Sequence, residues 1–154
     1  MSVLQAAERF LDLRRIAVVG VSRDPRSFTR RVFEAFLSAG YDAVPVNPAG
    51  GLIGDRPAFS HVSSIEPPVE GVFVLVAPGQ ADEVTAGALA AGVRQFWFHR
   101  GGGVGSASTE ALARCAGAGI DPVTDLCPFM MLPRAGWFHR LHGYLRVRKL
   151  VRAA

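Results

Sequence analysis

A chain of 154 residues, 49% of them apolar and 19% charged, holds enough material for one packed domain and too little for two, and its balance argues against disorder. Its longest apolar stretches, such as 71–78, are too short to cross a bilayer. The net charge of +4 comes almost wholly from arginine, gathered around 23–31 and in the C-terminal tail; with no aromatic RNA-binding signature beside it, no nucleic-acid partner is expected.

Residues 1–15 carry Glu8 and Asp12 and lack a basic start ahead of a long apolar run. No secretory signal is therefore expected, and a cytoplasmic protein is the default. Within this segment Val3, Leu4, Ala7, Phe10 and Leu11 recur at spacings of three and four, which predicts a short amphipathic helix over Val3–Leu13 that packs on the domain.

Ile16-Ala17-Val18-Val19 is a buried first strand, and Gly20-Val21-Ser22-Arg23-Asp24-Pro25 is the turn that leads to a helix over Phe28–Ala39. The free amides at the start of such a helix hold anions well. Gly20 permits a sharp turn and close approach of a ligand, Ser22 offers a hydroxyl, and Arg23, Arg26, Arg30 and Arg31 crowd the same corner. The turn reads Gly-x-Ser and lacks the three-glycine fingerprint of ordinary dinucleotide binders. Gly20, Val21, Ser22, Arg23 and Arg26 form the candidate phosphate turn.

Gly40 ends the helix, and Tyr41–Val46 forms a second strand running into Asn47-Pro48. An NAD-binding domain usually carries Asp or Glu there for the ribose hydroxyls, so Asn47 weighs against NAD. Residues 49–68, rich in Gly, Pro and Ser, read as a long loop with one helical turn at Val62–Ile65. Strand three is Gly71–Ala77, followed by a helix over Ala81–Ala91. Strand four is Arg94–Phe98 with His99 at its end, a helix covers Ser106–Ala118 with Ser106 or Ser108 as cap, and strand five is Ile120–Val123.

Strand and helix thus alternate about five times, which predicts a three-layer, Rossmann-like α/β domain with an open parallel sheet of about five strands and helices on both faces. Ligands of such sheets bind beyond the carboxyl ends of the strands. The domain is expected over 1–132, with 133–154 as a basic amphipathic tail. The tail mixes Trp137, Phe138, Leu141, Tyr144 and Leu145 with Arg134, Arg140, Arg146 and Arg148 and no acid. Packing on its own domain or across a homodimer is expected of it, rather than membrane contact.

Val19-Gly20-Val21-Ser22, Gly40-Tyr41, Val44-Pro45-Val46-Asn47-Pro48 and Asp125-Leu126-Cys127-Pro128 together resemble the CoA-binding domain family, Rossmann-like proteins related to the N-terminal domain of the succinyl-CoA synthetase alpha subunit. The resemblance implies binding of CoA or an acyl-CoA. The pyrophosphate would lie at Gly20, Ser22 and Arg23, the adenosine end at Asn47 and Pro48, and the pantetheine past Ala77 and Pro78. Relatives often carry a Trp-x-Gln-like string at the end of strand four, where this chain has Trp97-Phe98-His99-Arg100 and then three glycines.

His99 suits a polar contact to the ligand better than a general acid or base, because no second histidine or paired carboxylate lies near it in sequence. The glycine run is a flexible loop or a second anion cradle. Cys115 and Cys127 match neither a disulfide framework nor a zinc spacing, and Cys127 is a buried thiol or a reactive one. No metal and no catalytic residue is expected. Two other readings stay open on the residues alone: an NAD(P)-binding oxidoreductase or redox-sensing regulator, and an interaction module with a vestigial nucleotide site.

Overall fold

The computed structural model describes residues 1–100 and 105–132. The three glycines after Arg100 and the tail from residue 133 lie outside the described residues, and with them the readings of a second cradle and of a tail packed on the domain or across a homodimer.

Helix α1 (Val3–Leu11) opens on a capping box, in which the Ser2 hydroxyl accepts from the Gln5 amide at 3.2 Å and the Gln5 side chain accepts from the Ser2 amide at 3.0 Å. Strand β1 (Arg15–Val19), helix α2 (Phe28–Ser38) and strand β2 (Asp42–Val46) follow. The segment expected to be a plain loop contains a two-stranded hairpin, β3 (Leu52–Ile53) and β4 (Arg56–Pro57), and then a 3-10 turn at Val62–Ser64. Strand β5 is Gly71–Val74, shorter than expected, and helix α3 begins earlier than expected, spanning Pro78–Ala90. Strand β6 (Gln95–Phe98) leads to helix α4 (Thr109–Gly117), whose cap is Ser108.

The sheet runs β2-β1-β5-β6 with every pair parallel. The expected fifth strand is reduced to one bridge between Trp97 and Val123, with Val123 N–H donating to Phe96 O at 2.8 Å and Phe98 N–H to Val123 O at 2.9 Å. Pro122 has no N–H to donate, so the ladder has little to extend it on that side.

Alternate side chains of the strands point to opposite faces. Ile16, Val18, Phe73 and Trp97 pack with Phe10 of α1 and Val32, Phe33 and Phe36 of α2. Ala17, Val19, Val72, Val74, Phe96 and Phe98 pack with Ala81 and Ala88 of α3 and Ala111 and Cys115 of α4. The strands are thus buried on both faces, which accounts for their nearly unbroken apolar sequences. Among the described residues no helix is long and apolar enough to cross a membrane.

Candidate functional site

The order β2-β1-β5-β6 reverses direction between β1 and β5. From there the chain leaves β1 through α2 on one face and leaves β5 through α3 on the other, so the beginnings of both helices flank the carboxyl ends of the two central strands.

Gly20 stands at this reversal with φ +99°, and a Cβ there would lie 3.0 Å from Val76 Cγ1 and 3.1 Å from the Leu75 carbonyl carbon. The space on the side where a Cβ would stand is therefore filled by the end of β5. The Gly20 and Val21 amides both donate to Val46 O, at 3.0 and 3.4 Å. Ser22 N–H donates to Thr29 Oγ1 at 3.1 Å, while the half-buried Ser22 hydroxyl accepts from Asp24 N–H at 3.1 Å. The turn's own amides are thus largely committed. The helix after it is open: Ser27 Oγ caps the Arg30 amide at 3.1 Å, but the Phe28 and Thr29 amides have no acceptor among the described residues.

Asn47 is a clamp between loops. Its Nδ2 donates to Val21 O at 2.9 Å, and its Oδ1 accepts from Ala49 N–H at 3.0 Å. The first turn and the end of β2 are thereby brought together as the sequence pattern expected, although the amide is engaged by the protein itself. Pro48 is exposed beside it. Replacing Asn47 by aspartate puts a carboxylate oxygen against the Val21 carbonyl while keeping the acceptor for Ala49. We expect a loss of about 1–3 kcal/mol in urea unfolding, without a gain in NAD affinity; an unchanged midpoint would show that the clamp carries no stability.

Ala77 and Pro78 occupy the N-cap and first position of α3. Alanine offers no capping side chain, proline has no amide, and the Gly79 amide has no acceptor among the described residues. A Cβ at Gly79 would meet nothing within 4 Å, so this helix start is open to solvent.

His99, at the end of β6, is half-buried, and its backbone N–H donates to Val74 O at 3.0 Å. Its ring lies 5.0 Å from that of Phe28 and 6.3 Å from that of Phe73, centroid to centroid, and Phe129 contacts Phe28 edge-on at 6.0 Å. The His99 Nδ1 is buried without a hydrogen-bond partner among the described residues. Phe28, Thr29 and Phe129 were not singled out by sequence reasoning; an aromatic at the first position of an arginine-rich helix was the available signal for Phe28.

Burial lowers the His99 pKa from its usual value of 6.5. The unfolded chain therefore binds this proton more readily, so His99 contributes stability that is present above pH 6.5 and lost as pH falls from there through the folded value. We expect melting curves between pH 8 and 5, roughly the range in which histidine titrates, to show an acid-side decline in wild type that is smaller in His99→Gln. Parallel profiles would exclude the effect.

Arg26 pairs with Asp24 at 3.4 Å, and Arg100 pairs with Asp125, which has φ 60°. Burial raises the Cys115 thiol to about 11, as suits an inert core residue, whereas Cys127 is half-buried at the start of the 3-10 turn Pro128–Met130. Among the described residues no group of three His, Cys, Asp or Glu side chains gathers to hold a metal.

A doubly wound parallel α/β domain, with two open helix starts flanking the point where strand order reverses, belongs to the Rossmann-like class. The sequence model of the CoA binding domain family matches residues 14–133, and the chain belongs to that family. An uncharacterized Bacillus subtilis protein, YneT, is 31% identical over 114 residues, which span 74% of this chain and 82% of that one. A conserved hypothetical protein of Pyrococcus furiosus superposes with a TM-score of 0.68 at 27% identity, covering 75% of this chain and 96% of that one. The dinucleotide forming acetyl-coenzyme A synthetase 1 of Ca. Korarchaeum cryptofilum superposes with a TM-score of 0.64 at 24% identity, over 75% of this chain and 26% of that one, a likeness of fold.

Proposed function

We propose that this protein binds coenzyme A or an acyl-CoA across the carboxyl edge of its sheet. The observation that carries the reading is the pair of helix starts at the strand reversal, with the Phe28 and Thr29 amides on one side and the Gly79 amide on the other lacking acceptors among the described residues. Diphosphate oxygens suit the first pair, because two N–H donors at the positive end of a helix dipole complement a dianion, and Ser22 and Arg26 stand beside them. The open start of α3 at Ala77, Pro78 and Gly79 gives an uncharged, side-chain-poor path suited to a pantetheine arm. Family membership supports the same ligand.

His99 closes the far end of this edge. Its buried Nδ1, with no hydrogen-bond partner among the described residues, fits a polar group of the ligand, an amide or a thioester carbonyl if the nitrogen carries the proton.

Thermal melting with CoA, acetyl-CoA and NAD tests the reading. Saturation at a hundred times the dissociation constant adds about 2.7 kcal/mol, or roughly 5–10 °C for a domain of this size. We expect CoA or acetyl-CoA to give that shift and NAD to give little. A larger shift with NAD, or none with any ligand at millimolar concentration, would reject the proposal.

A further inference from the structure

We infer that Arg23 recognises a phosphate monoester on the ribose of the bound nucleotide and so selects phosphorylated over unphosphorylated adenosine ligands. The inference rests on the carboxyl edge being a nucleotide site and names what that site discriminates.

Arg23 and Arg30 reach the corner between the first turn and the hairpin, with Arg26 beside them in sequence, and two of the three are spoken for. Arg26 pairs with Asp24. Arg30 donates from Nε to Glu34 Oε1 at 2.8 Å and from Nη1 to the Arg23 carbonyl at 3.4 Å. Arg23 differs: its Nη2 donates to the Gly50 carbonyl, and among the described residues no carboxylate lies within 4.0 Å of its guanidinium. A full positive charge is therefore met by one neutral acceptor, and the remaining N–H groups of the fork are left for a ligand.

The guanidinium is also held in place. It reaches from the turn after β1 to the loop after β2, across the gap that Asn47 closes by bonding Val21 O. Gly51, at φ +77°, accommodates it: a Cβ there would stand 3.1 Å from Arg23 Nη2. Gly54, at φ +63°, does the same for Arg30, whose Nη2 would lie 2.8 Å from a Cβ. The hairpin is thus seated on two arginines, of which Arg30 fixes the backbone of Arg23 and Arg23 keeps an unbalanced charge.

The sequence pattern set Arg23 at the diphosphate, but its guanidinium reaches the Gly50 carbonyl in the loop after β2, which is the adenosine end for a diphosphate seated on the Phe28 and Thr29 amides. A monoester dianion on that ribose would meet a planar fork able to bind two of its oxygens. The 3′-phosphate of CoA and the 2′-phosphate of NADP both carry this chemistry, whereas dephospho-CoA and NAD lack it.

Isothermal titration of wild type and Arg23→Gln with CoA, dephospho-CoA, NADP and NAD separates the cases. We expect wild type to bind CoA about tenfold or more tightly than dephospho-CoA, and this ratio to fall to near one in Arg23→Gln because CoA loses more affinity than dephospho-CoA. Equal wild-type affinities, a comparison that needs no variant, would overturn the inference and leave CoA binding intact. An equal loss of both ligands in Arg23→Gln would overturn it too, since Arg23 would then serve the diphosphate or the fold. An Arg23-dependent preference for NADP over NAD, without CoA binding, would keep the role of Arg23 and reject the CoA reading. Binding of none of the four would reject both.

Discussion

Gly20→Val is expected to lower stability by about 2–5 kcal/mol, seen as a lower urea midpoint and a melting temperature reduced by roughly 5–15 °C. Two independent costs combine. The backbone at φ +99° is one that residues with a Cβ rarely adopt. The added side chain would also meet Val76 Cγ1 at 3.0 Å, the Leu75 carbonyl carbon at 3.1 Å and the Val76 amide nitrogen at 3.2 Å. Val76 can turn away, but the Leu75-Val76 peptide can move only by shifting the end of β5, and Leu75 N–H donates to Val19 O at 2.8 Å. Ligand binding should fall more than the loss of folded protein explains, because α3 begins two residues after Val76. A variant within about 0.5 kcal/mol of wild type, the range of an ordinary surface change, would refute this account of the strand reversal.

Trp97→Ala is expected to cost about 3–5 kcal/mol. Trp97 is fully buried, with its ring centroid 5.5 Å from those of both Phe10 and Phe73. Truncation would leave a cavity bordered by α1, β5 and the segment after α4. Its Nε1 also donates to Leu126 O at 3.1 Å, which ties the 123–132 segment to the sheet where only the Val123 bridge otherwise pairs with β6. Trp97→Phe keeps most of the ring and loses that hydrogen bond, so it should cost less in urea unfolding, monitored by circular dichroism, yet raise hydrogen exchange at Val123. Equal stability of Trp97→Ala and wild type would mean that this face of the sheet is not the core.

The two predictions bear on different kinds of legibility. That Trp97 lies inside could be read from Phe96-Trp97-Phe98, because a short, wholly apolar run between polar turns fits a strand covered on both faces. That Gly20 makes room for Val76 could not, since the two are joined only through the pairing of β1 with β5. The hairpin at 52–57 escaped notice because two-residue strands are too short to show a period; Gly54-Asp55 between them was the one usable sign. The fifth strand was overread because Ile120 and Val123 are apolar, while Pro122 limits what can be paired.

At the candidate site the sequence pattern sets the ends of β1 and β2 side by side, as the sheet does, and leaves the use of each polar group open. Asn47 stands at the end of β2, and its amide bonds Val21 O and Ala49 N–H. Arg23, Arg26 and Arg30 looked alike in sequence; Asp24 and Glu34 set two of them apart from the third.

The sequence by itself determined the alternation of strands and helices, the turn at Gly20 and the family, since apolar runs, capping residues and short motifs are local and act through neighbours along the chain. The tertiary structure decided which amides, which arginine and which imidazole nitrogen keep unused bonding capacity among the described residues. That remainder is known only after every other partner in space has been assigned, and partners such as Val76 for Gly20 or Gly50 for Arg23 lie far along the chain.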